Sequence, residues 1–167
     1  MSRENGGDEP AATPNVYAAG SHFNALQNAF SATGVESLHG MLKYVDEIAA
    51  AMRCLDDFMA AFNARDLKAL EATFNFPSVR LASNALTLIE PGHHTPTMFE
   101  RGALKDWSHS AWERREVIHA GDDKVHIDTR FTRYGKDGGV IGGFESIYVV
   151  TRENDHWGIK ARSSFAP

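Results

Sequence analysis

The C-terminal part of the chain leaves little choice of fold. From Trp112 to Phe165, four runs rich in β-branched and aromatic residues follow one another: Glu113 to His119, Lys124 to Tyr134, Val140 to Thr151 and His156 to Phe165. Between them lie only Ala120-Gly121-Asp122-Asp123, Gly135-Lys136-Asp137-Gly138-Gly139 and Arg152-Glu153-Asn154-Asp155, the Gly, Asp and Asn punctuation of hairpin loops. Connections this short cannot hold a parallel crossover, so neighbouring strands must run antiparallel. The segment is a meander, and one of its faces has to be covered by what precedes it.

What precedes it is helical. Residues 1–40 are rich in Gly, Ala, Ser, Asn and Pro and read as a flexible arm. Phe23, Leu26 and Phe30 allow one short helix there, around Ser21 to Phe30. Residues 41–167 are the domain. Val45, Ile48, Met52, Leu55, Met59 and Phe62 recur at steps of three and four, the apolar face of a first helix. Asp66 then reads as the N-cap of a second helix carrying Leu67, Leu70 and Phe74, broken at Phe76-Pro77. Val79 to Ser83 and Ala85 to Glu90 read as short strands around Asn84, and Pro91-Gly92-His93-His94 as a loop. Thr95-Pro96 is a start signal for a third helix reaching about Ala111 and burying Phe99, Leu104 and Trp107. The expected class is α+β, with three N-terminal helices packed on one face of a mostly antiparallel sheet.

Charge and composition exclude several functions. A formal net charge of -5 without a basic cluster argues against nucleic acid or an anionic membrane as partner, since both are held by concentrated Lys and Arg. A single cysteine, Cys54, permits no intrachain disulfide and reads as a buried helix residue. There is no long apolar run for a signal peptide or membrane span, so the cytoplasm is the default location. His93 and His94 are adjacent and diverge, and the remaining histidines lack ligand spacing, so no metal is expected. The glycines of 135–139 sit in a hairpin rather than a phosphate loop, and no cofactor is expected.

Two segments, Phe58-Met59-Ala60-Ala61-Phe62-Asn63-Ala64-Arg65-Asp66-Leu67 and His156-Trp157-Gly158-Ile159-Lys160, taken with the element order, resemble the nuclear transport factor 2-like, or SnoaL-like, superfamily over roughly residues 44–165. The resemblance implies a cone: a curved sheet wrapped around the helices, an apolar pocket inside, and a homodimer formed through the outer sheet face. It also implies where isomerase chemistry would sit, because a ketosteroid isomerase needs a carboxylate base and two protonated donors. Phe58 falls where the isomerase has its first-helix tyrosine, Leu81 where it has its base, and Ser146 near its second acid. By the resemblance, then, the isomerase mechanism is absent and the pocket is apolar and aromatic, lined by Phe58, Leu81, Trp107, Ser146 and Tyr148.

Strand alternation divides the second meander strand into Val125, Ile127, Thr129 and Phe131 on one face and His126, Asp128 and Arg130 on the other. With the apolar set toward the helices, the charges join Glu145, Lys160 and Arg162 in cross-strand pairs on the outer face, each stabilising the sheet by about 0.2 to 1 kcal/mol. The alternative turns Asp128, Arg130 and Glu145 inward, similar to the Asp-Arg-Asp set of limonene epoxide hydrolase, with His109 or Tyr148 beside them as acid-base groups. Three functions follow. The first is a dimeric domain that binds a small apolar molecule without a catalytic set. The second is a SnoaL-like isomerase, dehydratase or hydrolase acting on such a molecule by acid-base chemistry, and the third is an interaction subunit whose pocket its own side chains fill.

Overall fold

The computed structural model describes Gly40 and residues 42–167; the N-terminal arm and the helix around Ser21 to Phe30 lie outside the described residues. Helix α1, Val45–Ala64, buries Ala51, Cys54, Leu55, Phe58 and Met59 along one stripe. It stops at Arg65, which takes the left-handed conformation (φ 57°) and turns its amide back to Ala61 and Phe62. Asp66 caps α2, Leu67–Glu71, by accepting a hydrogen bond from the Ala69 amide at 3.0 Å, as the sequence suggests.

Two helical expectations need correction. Phe74 belongs to a strand: Thr73 donates both its amide and its hydroxyl to the Leu70 carbonyl. That closes α2 early, and strand β1, Phe74–Ala82, starts at once. The helix expected from Thr95-Pro96 to about Ala111 does not form either. Thr95 spends its hydroxyl on Thr97 (2.9 Å) rather than on a cap, and Gly102 sits at φ +56°. The segment therefore makes only two 3-10 turns, Pro96–Phe99 and Gly102–Leu104. Trp107, completely buried, opens a strand instead.

The described residues form a six-stranded mixed sheet. Strands β3 (Trp107–Ala120), β4 (Lys124–Gly135), β5 (Val140–Glu153) and β6 (His156–Ser164) form the antiparallel meander. Strand β2, Ala85–Ile89, is a hairpin partner of β1. Across the sheet the order is β2-β1-β6-β5-β4-β3, and the one parallel pairing among the described residues is β1 with β6, because the chain crosses from β2 to the far edge before the meander brings it back. Helix α1 lies on one face, and Leu55, Phe58, Leu70, Val125, Ile127, Tyr148, Val150 and Ile159 share one core with it. Each fully buried large side chain contributes about 1.5–3 kcal/mol.

Candidate functional site

Between the helices and the inner face of the sheet lies a cavity of about 400 Å³, within the usual range of about 300–1,000 Å³ for small-molecule sites. Helices α1 and α2 supply Phe58, Phe62 and Leu70; β1 supplies Phe74, Ser78 and Arg80. The loop after β2 contributes His93, His94, Met98 and Arg101, and the remaining strands add Arg133, Tyr148, Ile159 and Arg162. Its aromatic wall is continuous: the Phe58 ring meets those of Phe74 at 6.0 Å and Tyr148 at 5.9 Å, both edge-on, a favoured arrangement of ring quadrupoles.

Of the five residues expected to line the pocket, Phe58 and Tyr148 do so. Leu81 is 40% exposed and outside it. Trp107 stands behind the wall, its ring 4.9 Å from Phe62 and its indole N–H donating to Ser110 at 2.9 Å. Ser146 is buried one layer back, where its hydroxyl donates to Ser164 at 2.9 Å.

The alternative catalytic set is not in the cavity. Val125, Ile127, Thr129 and Phe131 are buried, so Asp128 and Arg130 face the other way. There Arg114 bonds to Asp128 and, at 2.7 Å, to Glu145; Arg130 bonds to Glu145 at 2.8 Å and to Glu113 at 2.7 Å. The Thr132 hydroxyl and then Arg130 hold the Glu113 carboxyl below its ordinary range, since hydrogen bonds to the charged form favour it. His109 is on β3, not on a helix, and stacks on Tyr134 at 4.7 Å.

The arginines inside are what the sequence reading missed. Arg133 continues the inward series Val125, Ile127, Thr129 and Phe131 by one more step of two, a signal present in the alternation. Arg162 was expected outside with Lys160, and the correction has a definite cause. Val150 pairs with Ile159 but Val149 with Ala161, so Lys160 is the extra residue of a β-bulge. Its side chain goes to Glu153 at 3.1 Å, and the bulge resets the alternation so that Arg162 turns inward. Arg80 is the parallel register partner of Arg162.

These groups are held, but none is in a salt bridge among the described residues. Arg162 donates to Ser164 at 2.9 Å and lies 5.1 Å from the centre of the Tyr148 ring. Arg80 donates to the Ala166 carbonyl at 3.2 Å. Arg133 is 6% exposed, and its Nε and Nη1 have no hydrogen-bond partner among the described residues. Burial and then the charges of Arg162 and Arg80 push the Arg133 guanidinium down to about 10. Burial likewise lowers Arg80, with Arg162 as the next cause. Burial raises the Tyr148 phenol. At the mouth, burial and then His93 lower His94, whose Nδ1 is 3.9 Å from Glu71. No Asp or Glu lines the cavity among the described residues, and none of their His, Cys, Asp and Glu side chains group in threes as a metal site would require. Nor is any described helix long and apolar enough to cross a membrane.

Comparison with known proteins agrees with this architecture. An NTF2-like protein with a cystatin-like fold from Novosphingobium aromaticivorans superposes with a TM-score of 0.59 at 10% identity, covering 79% of this chain and 89% of that one. A ketosteroid isomerase-like protein from Erwinia carotovora atroseptica gives 0.54 at 17% identity, over 72% and 98%. An NTF2-like protein from Cytophaga hutchinsonii gives 0.56 at 13% identity, over 70% and 94%. At these identities the likeness concerns the fold. No curated protein sequence matches significantly. Residues 46–164 match the family profile described as NTF2-like protein (DUF6841), and the chain, with its helices set against a six-stranded mixed sheet, belongs to that NTF2-like family.

Proposed function

We propose that this protein is a small-molecule-binding domain, its ligand seated in the cavity between α1, α2 and the inner face of the sheet. The observation that carries this is the cavity itself, about 400 Å³ of space walled by Phe58, Phe74 and Tyr148. An interaction subunit with a filled pocket would not keep it. Binding is favoured over the acid-base enzyme because the carboxylates that enzyme would use, Asp128 and Glu145, are bound to Arg114 on the opposite face, and proton transfer requires a group within hydrogen-bond reach of the substrate. The curved sheet then acts as a cone closed around a ligand, and its outer face, where Ile147 is 44% exposed opposite Asp128, is the surface a second copy would cover.

Native mass spectrometry on gently purified protein tests the first part. A reproducible adduct is expected, released on denaturation and lost in Met98→Trp, which fills the cavity from its loop side. A protein without adduct that gains no thermal stability from any member of a broad small-molecule panel would refute it. Sedimentation tests the second part, and a species of one chain's mass at high concentration would count against the dimer.

A further inference from the structure

We propose that the ligand of this cavity is an organic acid, its apolar, ring-sized body lying on the phenylalanine side and its carboxylate taken by Arg133, Arg162 and Arg80. This rests on the cavity being a ligand site and says what it selects.

The argument starts from the strands. The parallel register sets Arg80 beside Arg162, and the antiparallel register sets Tyr148 on the other side of Arg162. Like charges placed as direct neighbours on one sheet face repel, and these two share their space with Arg133 and with no Asp or Glu side chain of the described residues. A guanidinium carries five N–H donors and no acceptor. The Arg133 Nε and Nη1 are buried with no hydrogen-bond partner among the described residues, in a residue more than nine-tenths buried. The Arg162 Nε is likewise buried without a partner there. Buried charges are ordinarily paired, and the group that pairs with several guanidinium forks is a planar or tetrahedral oxyanion.

The rest of the wall describes the body of the ligand. Phe58, Phe74, Leu70 and Ile159 offer only carbon, so a bare inorganic anion would leave most of the chamber unmatched, and a neutral hydrocarbon would leave the arginines unmatched. An acid with one or two rings, or a short aliphatic chain, satisfies both halves. Arg101 on the loop side of the wall extends the positive potential outward, which steers an anion toward the opening.

The test is calorimetric titration of the full chain with benzoate, hexanoate and 2-naphthoate, each beside its neutral alcohol, on wild type and on Arg133→Met. Circular dichroism confirms that the variant is folded. At least one acid is expected to bind wild type about tenfold or more tightly than its alcohol, the worth of a charge-assisted hydrogen bond. Arg133→Met is expected to cut that preference about tenfold, the acid losing much more affinity than the alcohol. Alcohol and acid binding wild type equally, or the variant weakening both alike, would overturn the inference while leaving the cavity a ligand site. No binding by either series, together with no adduct in native mass spectrometry, would remove both. If naphthyl phosphate binds wild type and 2-naphthoate does not, the assignment to carboxylates is wrong.

Discussion

The two faces of this sheet use arginine in opposite ways. Outside, Arg114 and Arg130 stand among Glu113, Glu116, Asp128 and Glu145, every positive charge within bonding distance of a negative one. Inside, Arg80, Arg133 and Arg162 share a cavity that no Asp or Glu among the described residues lines. Hydrogen bonding to carboxylates raises the protonation tendency of the outer pair, whereas burial lowers that of Arg80 and Arg133. The outer set is complete in itself and explains nothing beyond the sheet. The inner set has no Asp or Glu partner among the described residues, and the proposed ligand site rests on that difference.

The largest effect should come from breaking the inner set through the backbone. Gly158 lies where β1 and β6 press together, and a Cβ there would stand 2.7 Å from the backbone of Phe74 and of Asn75. Neither neighbour is a flexible side chain that could give way. Gly158→Ala should therefore destabilise the fold by about 2–3 kcal/mol, the cost of overpacking a tight contact, and should separate the strands that carry Arg80 and Arg162. Urea denaturation measures the first consequence. Titration with an organic acid measures the second.

Next in size is Arg133→Met, with the opposite sign. Replacing a buried unpaired charge by an apolar side chain of similar length should stabilise the ligand-free protein by about 1–2 kcal/mol, read as a higher urea midpoint with an unchanged slope. A residue whose removal stabilises the fold while removing ligand selectivity serves the site at the expense of the scaffold. A lower midpoint would mean that Arg133 is paired by a group that the inner face as described does not contain, and the contrast between the faces would lose its sharpest member.

This contrast was half legible in the sequence. The strands announced themselves because hairpin loops and period-two alternation are local signals, and the same alternation placed Asp128 and Arg130 outside. It would equally have placed Arg133 inside had the series past Phe131 been followed. Arg162 was not legible, because the bulge at Lys160 changes its face and nothing in the residue types of that strand marks an inserted residue. Arg80 was hidden for another reason: its neighbour across the parallel pairing is 82 positions away, and local pattern does not report which strands meet. The third helix was not legible because a start signal in the residue types does not report which bond the capping hydroxyl makes. Thr95 and Pro96 fit the opening of a helix, but the threonine hydroxyl has a closer partner in Thr97.

A smaller effect should appear at the cavity mouth as a dependence on pH. His94 is half-buried, and that burial and then His93 lower its pKa from the ordinary value, with Glu71 partly opposing. A base whose folded pKa lies below its unfolded one is protonated first in the unfolded state, so stability falls as pH drops through the histidine range. His94→Gln should be free of that loss. The difference in stability between wild type and variant should therefore shrink or reverse from about pH 7.5 to about pH 5, measured by urea midpoints at each pH. A constant difference would mean that the imidazole is solvated alike in both states.

The smallest effect should come from the outer face, and its smallness is informative. Arg114→Met removes the bonds to Asp128 and Glu145, yet those carboxylates are partly open to solvent and can be hydrated in place. Exposed ion pairs contribute little because water and salt compete for both partners. The urea midpoint should move barely beyond its error, and whatever shift remains should vanish as salt is added. Affinity for organic acids should not change, since the sheet separates Arg114 from the cavity. If Arg114→Met instead weakened acid binding as Arg133→Met does, the two faces would be coupled through β4 and β5, and charge inside the cavity could no longer be assigned to the inner arginines alone.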